Sequence, residues 1–308
     1  MALDWKGVFP AVTTKFTASD ELDLELFAIN LSAQIEAGVS GIIIGGSLGE
    51  SSTLTNAELE RLVTAGLKVA AGRVPVVVNV ATGATREAVE LALRMKDNGA
   101  DGLMLLPPMR YRSTVTETVQ FYKTVATATD LPVLVYNNPV DYKTEITLDM
   151  FSELADIPTI QAVKESTRDV TNVTRLRGRF GSRFSILCGV DTLTFEELAA
   201  GADGLVAGLV CAFPRETVAI YNYIKAGQHD RALEIYRWFM PLLEFDITPQ
   251  LVQYIKLAEV YTQLGSEFVR LPRLPLSGDA RRHAVQIIES SLTSRPLELV
   301  AAGLQLNG

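Results

Sequence analysis

Eight short apolar runs, rich in β-branched residues, punctuate the chain. They are GVFPAV (7–12), GIIIG (41–45), VPVVVNV (74–80), DGLMLLP (101–107), LPVLVYN (131–137), TIQAVK (159–164), FSILCG (184–189) and DGLVAG (203–208). They begin about 20 to 35 residues apart. They are continuously apolar rather than alternating, the pattern of parallel strands covered on both faces. The stretches between them have apolar residues at helical spacing. One such stretch, 23–38, closes on Gly38, a natural helix stop. The 55–72 stretch opens with Thr55 and Glu58 at the spacing of a capping box. The 85–100 stretch has Thr85 as candidate N-cap and Gly99 as stop. Eight strands alternating with helices predict a (β/α)8 barrel; an open doubly wound sheet rarely needs eight such evenly spaced units.

The strand signal ends near residue 213. RETVAIYNYIKAG completes the barrel, and HDRALEIYRWFMPLLEF, PQLVQYIKLAEVYTQLG and SGDARRHAVQIIESSL are helical patterns beyond it. The expected organisation is a barrel carrying the active site over 1–225 and a C-terminal helical segment over 226–308. The bulky run IYRWFMPLLEF either packs on the barrel or forms a subunit contact.

Composition narrows the function. The 308 residues are 48% hydrophobic and 21% charged, as in a globular chain with a large core. A net charge of -8 argues against nucleic acid or an anionic membrane as partner, but leaves room for a small anionic metabolite in a locally positive pocket. Cys188 and Cys211 both lie in apolar runs and read as buried thiols. The start, MALDWKGVFPAVTT, lacks the pattern of a signal peptide. No run approaches the ~18 apolar residues of a membrane span, so a soluble, cytoplasmic protein is expected.

Active sites of such barrels sit at the C-terminal ends of the strands. There the second strand delivers Gly46-Ser47-Leu48-Gly49-Glu50, the fifth Tyr136-Asn137-Asn138-Pro139, the sixth Lys164-Glu165-Ser166, the seventh Gly189-Val190-Asp191 and the eighth Gly204 to Gly208, including Val206. Gly45-Gly46-Ser47-Leu48-Gly49 matches the G-x-S-x-G nucleophile elbow, which would make Ser47 the nucleophile of a hydrolase. Such a hydrolase needs a histidine, and only His229 and His283 exist, both in helical patterns past the barrel. Alternatively, the backbone amides of this glycine turn make a carboxylate site, with the Ser47 hydroxyl bonded to Tyr136. Lys164 ends an apolar strand. Burial there lowers an amine's pKa, and a neutral amine attacks carbonyls to form a Schiff base. The competing structural reading pairs Lys164 with Glu165. Tyr136, one strand away, is a candidate proton carrier or else a buried tyrosine with one satisfied hydrogen bond. Lys256, in QYIKLAE, reads as a snorkelling side chain. Neither a G-x-G-x-x-G fingerprint nor a P-loop is present, and no His/Cys/carboxylate group has metal spacing.

Together, GVFPAVTTKF, G-[ST]-x-G-E at 46–50, Y-N-x-P at 136–139 and VKES at 163–166 resemble the dihydrodipicolinate synthase/N-acetylneuraminate lyase family over essentially the whole chain. The resemblance implies Lys164 as Schiff-base lysine, Tyr136 as proton shuttle and the Ser47–Leu48 turn, with Gly46 and Gly49, as carboxylate site. It also implies contacts from Gly189 and Val206, a homotetramer built as a dimer of dimers, and no metal or organic cofactor. Three positions depart from the family's synthases. Leu48 replaces a second hydroxyl residue. Asp141 stands where an arginine holds the aldehyde substrate's carboxylate. Pro108-Met109-Arg110-Tyr111 lacks the paired tyrosines that relay protons from a neighbouring subunit. These departures point away from lysine biosynthesis. VYNNPVDYKTEIT and the run 236–259 look most like the branch that includes 1-pyrroline-4-hydroxy-2-carboxylate deaminase. In that branch Asp141, Tyr142 or Lys143 would meet the 4-hydroxyl or the departing amine, and Arg110 and Tyr111 would complete the substrate contacts. A 4-hydroxy-tetrahydrodipicolinate synthase or another pyruvate-dependent aldolase is the alternative, and a sensor that keeps the pocket without turnover is the non-enzymatic one.

Overall fold

The computed structural model describes residues 3–108 and 111–307. Arg110 lies outside the described residues. The eight apolar runs are eight parallel strands: β1 (Gly7–Pro10), β2 (Ile42–Ile44), β3 (Val76–Val80), β4 (Gly102–Leu105), β5 (Val133–Asn137), β6 (Ile160–Glu165), β7 (Ser185–Cys188) and β8 (Gly204–Ala207). Their ladder runs β1-β8-β7-β6-β5-β4-β3-β2. The remaining seam between β1 and β2 is bridged at Ala11–Ile43, where the Val12 amide donates to the Ile43 carbonyl at 3.0 Å. Helices follow the strands on the outside, giving the expected α/β barrel with added C-terminal helices.

Continuous apolarity produces two cores. Phe9, Ile43, Val77, Met104, Leu134, Ala162, Leu187 and Val206 fill the barrel interior. Their strand neighbours, such as Ile42 and Ile44 beside Ile43, face the helices and join the larger core there. Thr55 and Glu58 form the capping box. Gly38 and Gly99 follow their helices with φ of +92° and +90°. Thr85 is not a cap: the helix Thr85–Asp97 starts one residue after Ala84, which has no capping side chain.

Beyond the barrel, helices span His229–Leu243, Leu251–Tyr261, Gly278–Thr293 and Leu297–Leu304. The run IYRWFMPLLEF is largely accounted for by packing within the chain, since Ile235, Tyr236, Phe239, Leu242, Leu243 and Phe245 are all buried. A 3-10 turn, Glu244–Ile247, ends this run and carries Asp246 over the barrel mouth.

Lys256 is not a snorkelling side chain. It is fully buried, with its amine 2.5 Å from Glu50 Oε1 and 4.7 Å from the centroid of the Phe16 ring. Burial pushes this amine down to about 8. Glu50, itself in the left-handed region (φ 56°), also accepts from the Arg270 amide at 3.0 Å. A parallel pair, Lys15–Glu259 at 2.7 Å, lies next to it, with Thr13 donating to Glu259. These pairs clamp the C-terminal segment to the first two strand ends. Removing one partner of a buried pair strands the other charge, whereas removing both does not. Lys256→Met is therefore expected to lose about 3–5 kcal/mol of stability. The double variant Glu50→Gln/Lys256→Met should recover much of that loss in denaturant titrations. A Lys256→Met chain as stable as the parent would show that the pair contributes nothing.

Candidate active site

The strand ends converge on a cavity of about 490 Å³ at the barrel mouth. Parallel register aligns Tyr136 with Lys164 across the β5–β6 ladder, and both side chains point inward. Glu165, one residue on, points the opposite way. It accepts from the Thr167 amide at 2.8 Å and from the Asn172 side chain at 2.7 Å, so the Lys164–Glu165 ion pair does not form. Lys164 has no ion-pair partner among the described residues. Its amine sits 4.1 Å from the centroid of the Tyr136 ring, over the face rather than at the hydroxyl. Burial lowers its pKa, against the opposing pull of Tyr142, Asp246 and Asp191.

Gly189 makes room for this lysine. A β-carbon there would come within 2.7 Å of Lys164 Cγ and 2.1 Å of Ser166 Oγ. Ser166 donates to the Gly189 carbonyl at 3.1 Å, which fixes the wall on that side.

The Ser47 hydroxyl does not bond to Tyr136, as the sequence suggested. It hydrogen-bonds to Tyr142, whose ring meets Tyr136 edge-on with centroids 5.5 Å apart. The reason is local: Asn138 caps the short helix Pro139–Tyr142 and swings Tyr142 across the mouth. Asn138 also donates to the Tyr136 hydroxyl at 3.2 Å and to Asp141 Oδ2 at 2.7 Å. Burial raises the pKa of both phenols, so both keep their protons near neutrality.

In the strand-2 turn, Gly46, Ser47 and Leu48 line the cavity. Among the described residues, the amides of Ser47 and Leu48 donate to no protein acceptor. The Leu48 side chain is buried, with Cδ2 near Gly208. Gly49 lies behind the turn, packed against the Val12 carbonyl, where a β-carbon would come within 2.8 Å of its oxygen. Val206, Asp141 and Tyr142 line the cavity; Tyr111 is exposed and does not. No histidine lines it, which removes the partner that a Ser47 hydrolase needs.

The sequence reading placed Asn138 at the mouth without a role and missed Arg168 and Asp246. Asn138 is the free position of Y-N-x-P, so the motif itself carries no signal for it. Arg168 follows the lysine strand and lines the cavity with φ 65°; among the described residues it has no hydrogen-bond or ion-pair partner. Asp246 comes from the C-terminal segment, outside the stretch expected to hold the site, along with Ile247, Thr248, Pro249 and Leu251. The only hint was an acidic residue at a helix break ahead of Pro249.

Comparison with known proteins gives a consistent picture. Residues 4–291 match the model of the Dihydrodipicolinate synthetase family. A 4-hydroxy-tetrahydrodipicolinate synthase of Exiguobacterium sibiricum is 32% identical over 289 residues, 93% of this chain and 97% of that one. The corresponding synthase of Aquifex aeolicus is 33% identical over 241 residues, 78% and 82% of the two chains. Among solved structures, the synthase of Methylacidiphilum fumariolicum SolV superposes with a TM-score of 0.90 at 27% identity, covering 98% of this chain and 99% of that one. A chloride-inhibited dihydrodipicolinate synthase of Acinetobacter baumannii, in complex with pyruvate, also gives 0.90, at 26% identity over 94% and 99% of the two chains.

Proposed function

The chain belongs to the dihydrodipicolinate synthetase family and is an enzyme of its class I aldolase/lyase kind, and from that premise we propose that it carries pyruvate, or another short 2-oxo acid, as a Schiff base on Lys164. One observation carries this reading: a buried, unpaired amine whose pKa is lowered by burial, set over the ring of a protonated tyrosine at the mouth of a cavity. The free Ser47 and Leu48 amides hold the carboxylate. The amine adds to the 2-oxo carbon and water leaves, with Tyr136 supplying the proton to the departing oxygen. The resulting iminium acidifies the neighbouring carbon, and loss of its proton gives the enamine that reacts with a second substrate.

For that second substrate, the named relatives favour an aldehyde such as aspartate 4-semialdehyde, condensed with pyruvate. Arg168 supports this, as a cavity-lining cation free to meet the aldehyde's carboxylate in place of the arginine that Asp141 displaces. The deaminase reading has Asp141 in its favour: a carboxylate at that wall repels a second carboxylate, and a cyclic imine has only one. A substrate panel separates them. Pyruvate with aspartate semialdehyde is expected to condense with kcat/KM above about 10⁴ M⁻¹s⁻¹. Ammonia released from 1-pyrroline-4-hydroxy-2-carboxylate, without condensation, would transfer the assignment to the deaminase.

A further inference from the structure

Asp246 reaches the cavity from outside the barrel, and the fold makes space for it. Its Oδ1 lies 2.9 Å from where a β-carbon on Gly208 would stand, so any larger residue at 208 would displace it. Its Oδ2 accepts from the Asp191 amide at 3.3 Å. The Asp191 carboxyl in turn accepts from the Gly208 amide at 3.0 Å and the Leu209 amide at 2.7 Å. Asp191 is buried behind the cavity wall, and Asp246, half-buried, lines the cavity together with Lys164 and Tyr136. Charged groups facing Asp246 are Asp191, Asp141, Lys164 and Arg168.

We propose that Asp246 is a catalytic acid of this enzyme: it protonates the oxygen of the second substrate when the Lys164-bound enamine attacks it. The inference rests on the Schiff-base reading above. In the condensing direction the enamine carbon forms a bond to the acceptor's carbonyl carbon. The C=O electron pair moves onto the oxygen, and that oxygen takes the Asp246 proton, leaving an alcohol and an Asp246 carboxylate. In cleavage the carboxylate takes the alcohol proton back as the bond breaks. Burial raises both carboxyls, and for Asp191 the Asp246 charge raises it further, so the pair retains one proton near neutrality. The proton is shared between the two carboxyls, and Asp246 is the one that lines the cavity and meets the acceptor. Tyr136 is thereby left to serve the Lys164 end, and each half of the reaction has its own acid.

Asp246→Asn keeps the shape and removes the proton. With pyruvate alone, borohydride trapping at Lys164 and exchange of the pyruvate methyl protons in D2O should persist in this variant. Turnover of the better acceptor of aspartate 4-semialdehyde and D-glyceraldehyde should fall about 10²-fold or more, in kcat rather than KM. Asp246→Glu should recover part of it. Asp246→Asn turnover within threefold of the parent overturns the proposal. So does loss of methyl exchange together with turnover, which would make Asp246 a structural support for Lys164, and so does a parent that traps pyruvate but turns over no acceptor. A parent that forms no adduct instead defeats the Schiff-base reading itself.

Discussion

Lys164→Ala is expected to reduce turnover to background, a loss of about 10⁴-fold or more, and to abolish the borohydride-reduced pyruvate adduct seen by mass spectrometry on the parent. The fold should survive, because among the described residues Lys164 has no ion-pair partner whose charge would be stranded. A second buried lysine provides the internal control. Burial also lowers Lys256, but its amine is held by Glu50 and by the Phe268 carbonyl, at 2.5 Å and 2.6 Å, and it does not line the cavity. Lowered pKa alone therefore does not make a Schiff-base lysine; a free amine facing a substrate-sized cavity does. Adduct mass on Lys256, or on any lysine other than 164, would overturn the assignment.

Tyr136→Phe is expected to lower kcat by about 10²–10⁴-fold with a much smaller change in KM. The ring that sits under the lysine remains, so the cation–π contact and the packing against Tyr142 survive, and only the proton is lost. Because burial raises the phenol's pKa, the parent should show no loss of rate from Tyr136 ionisation up to the ordinary tyrosine value near 10. Removing the Asn138 bond to the hydroxyl, as in Asn138→Ala, should misplace the same proton and produce a smaller fall in kcat. Tyr136→Phe activity within a few-fold of the parent would mean that another group, such as Tyr142, carries the proton at the lysine end.

Much of this was legible in the chain. Eight continuously apolar runs indicate parallel strands covered on both faces, and their number and even spacing with helices between them point to a barrel. The position of a residue at a strand's C-terminal end then places Lys164, Tyr136 and the strand-2 turn at one mouth. Local caps such as Thr55–Glu58 were equally readable, since their partners are three residues apart. Tertiary structure decided what depends on contacts between distant segments. Strand register put the Lys164 amine over the face of Tyr136 and turned Glu165 away. The short helix after Asn138 gave Ser47 to Tyr142 rather than Tyr136. Lys256, amphipathic by its helical neighbours, was buried because Glu50 lies 206 positions away in sequence yet beside it in space. Asp246 was invisible for the same reason: no local pattern records that a turn between two C-terminal helices bends back over a barrel mouth built by residues 11 to 208.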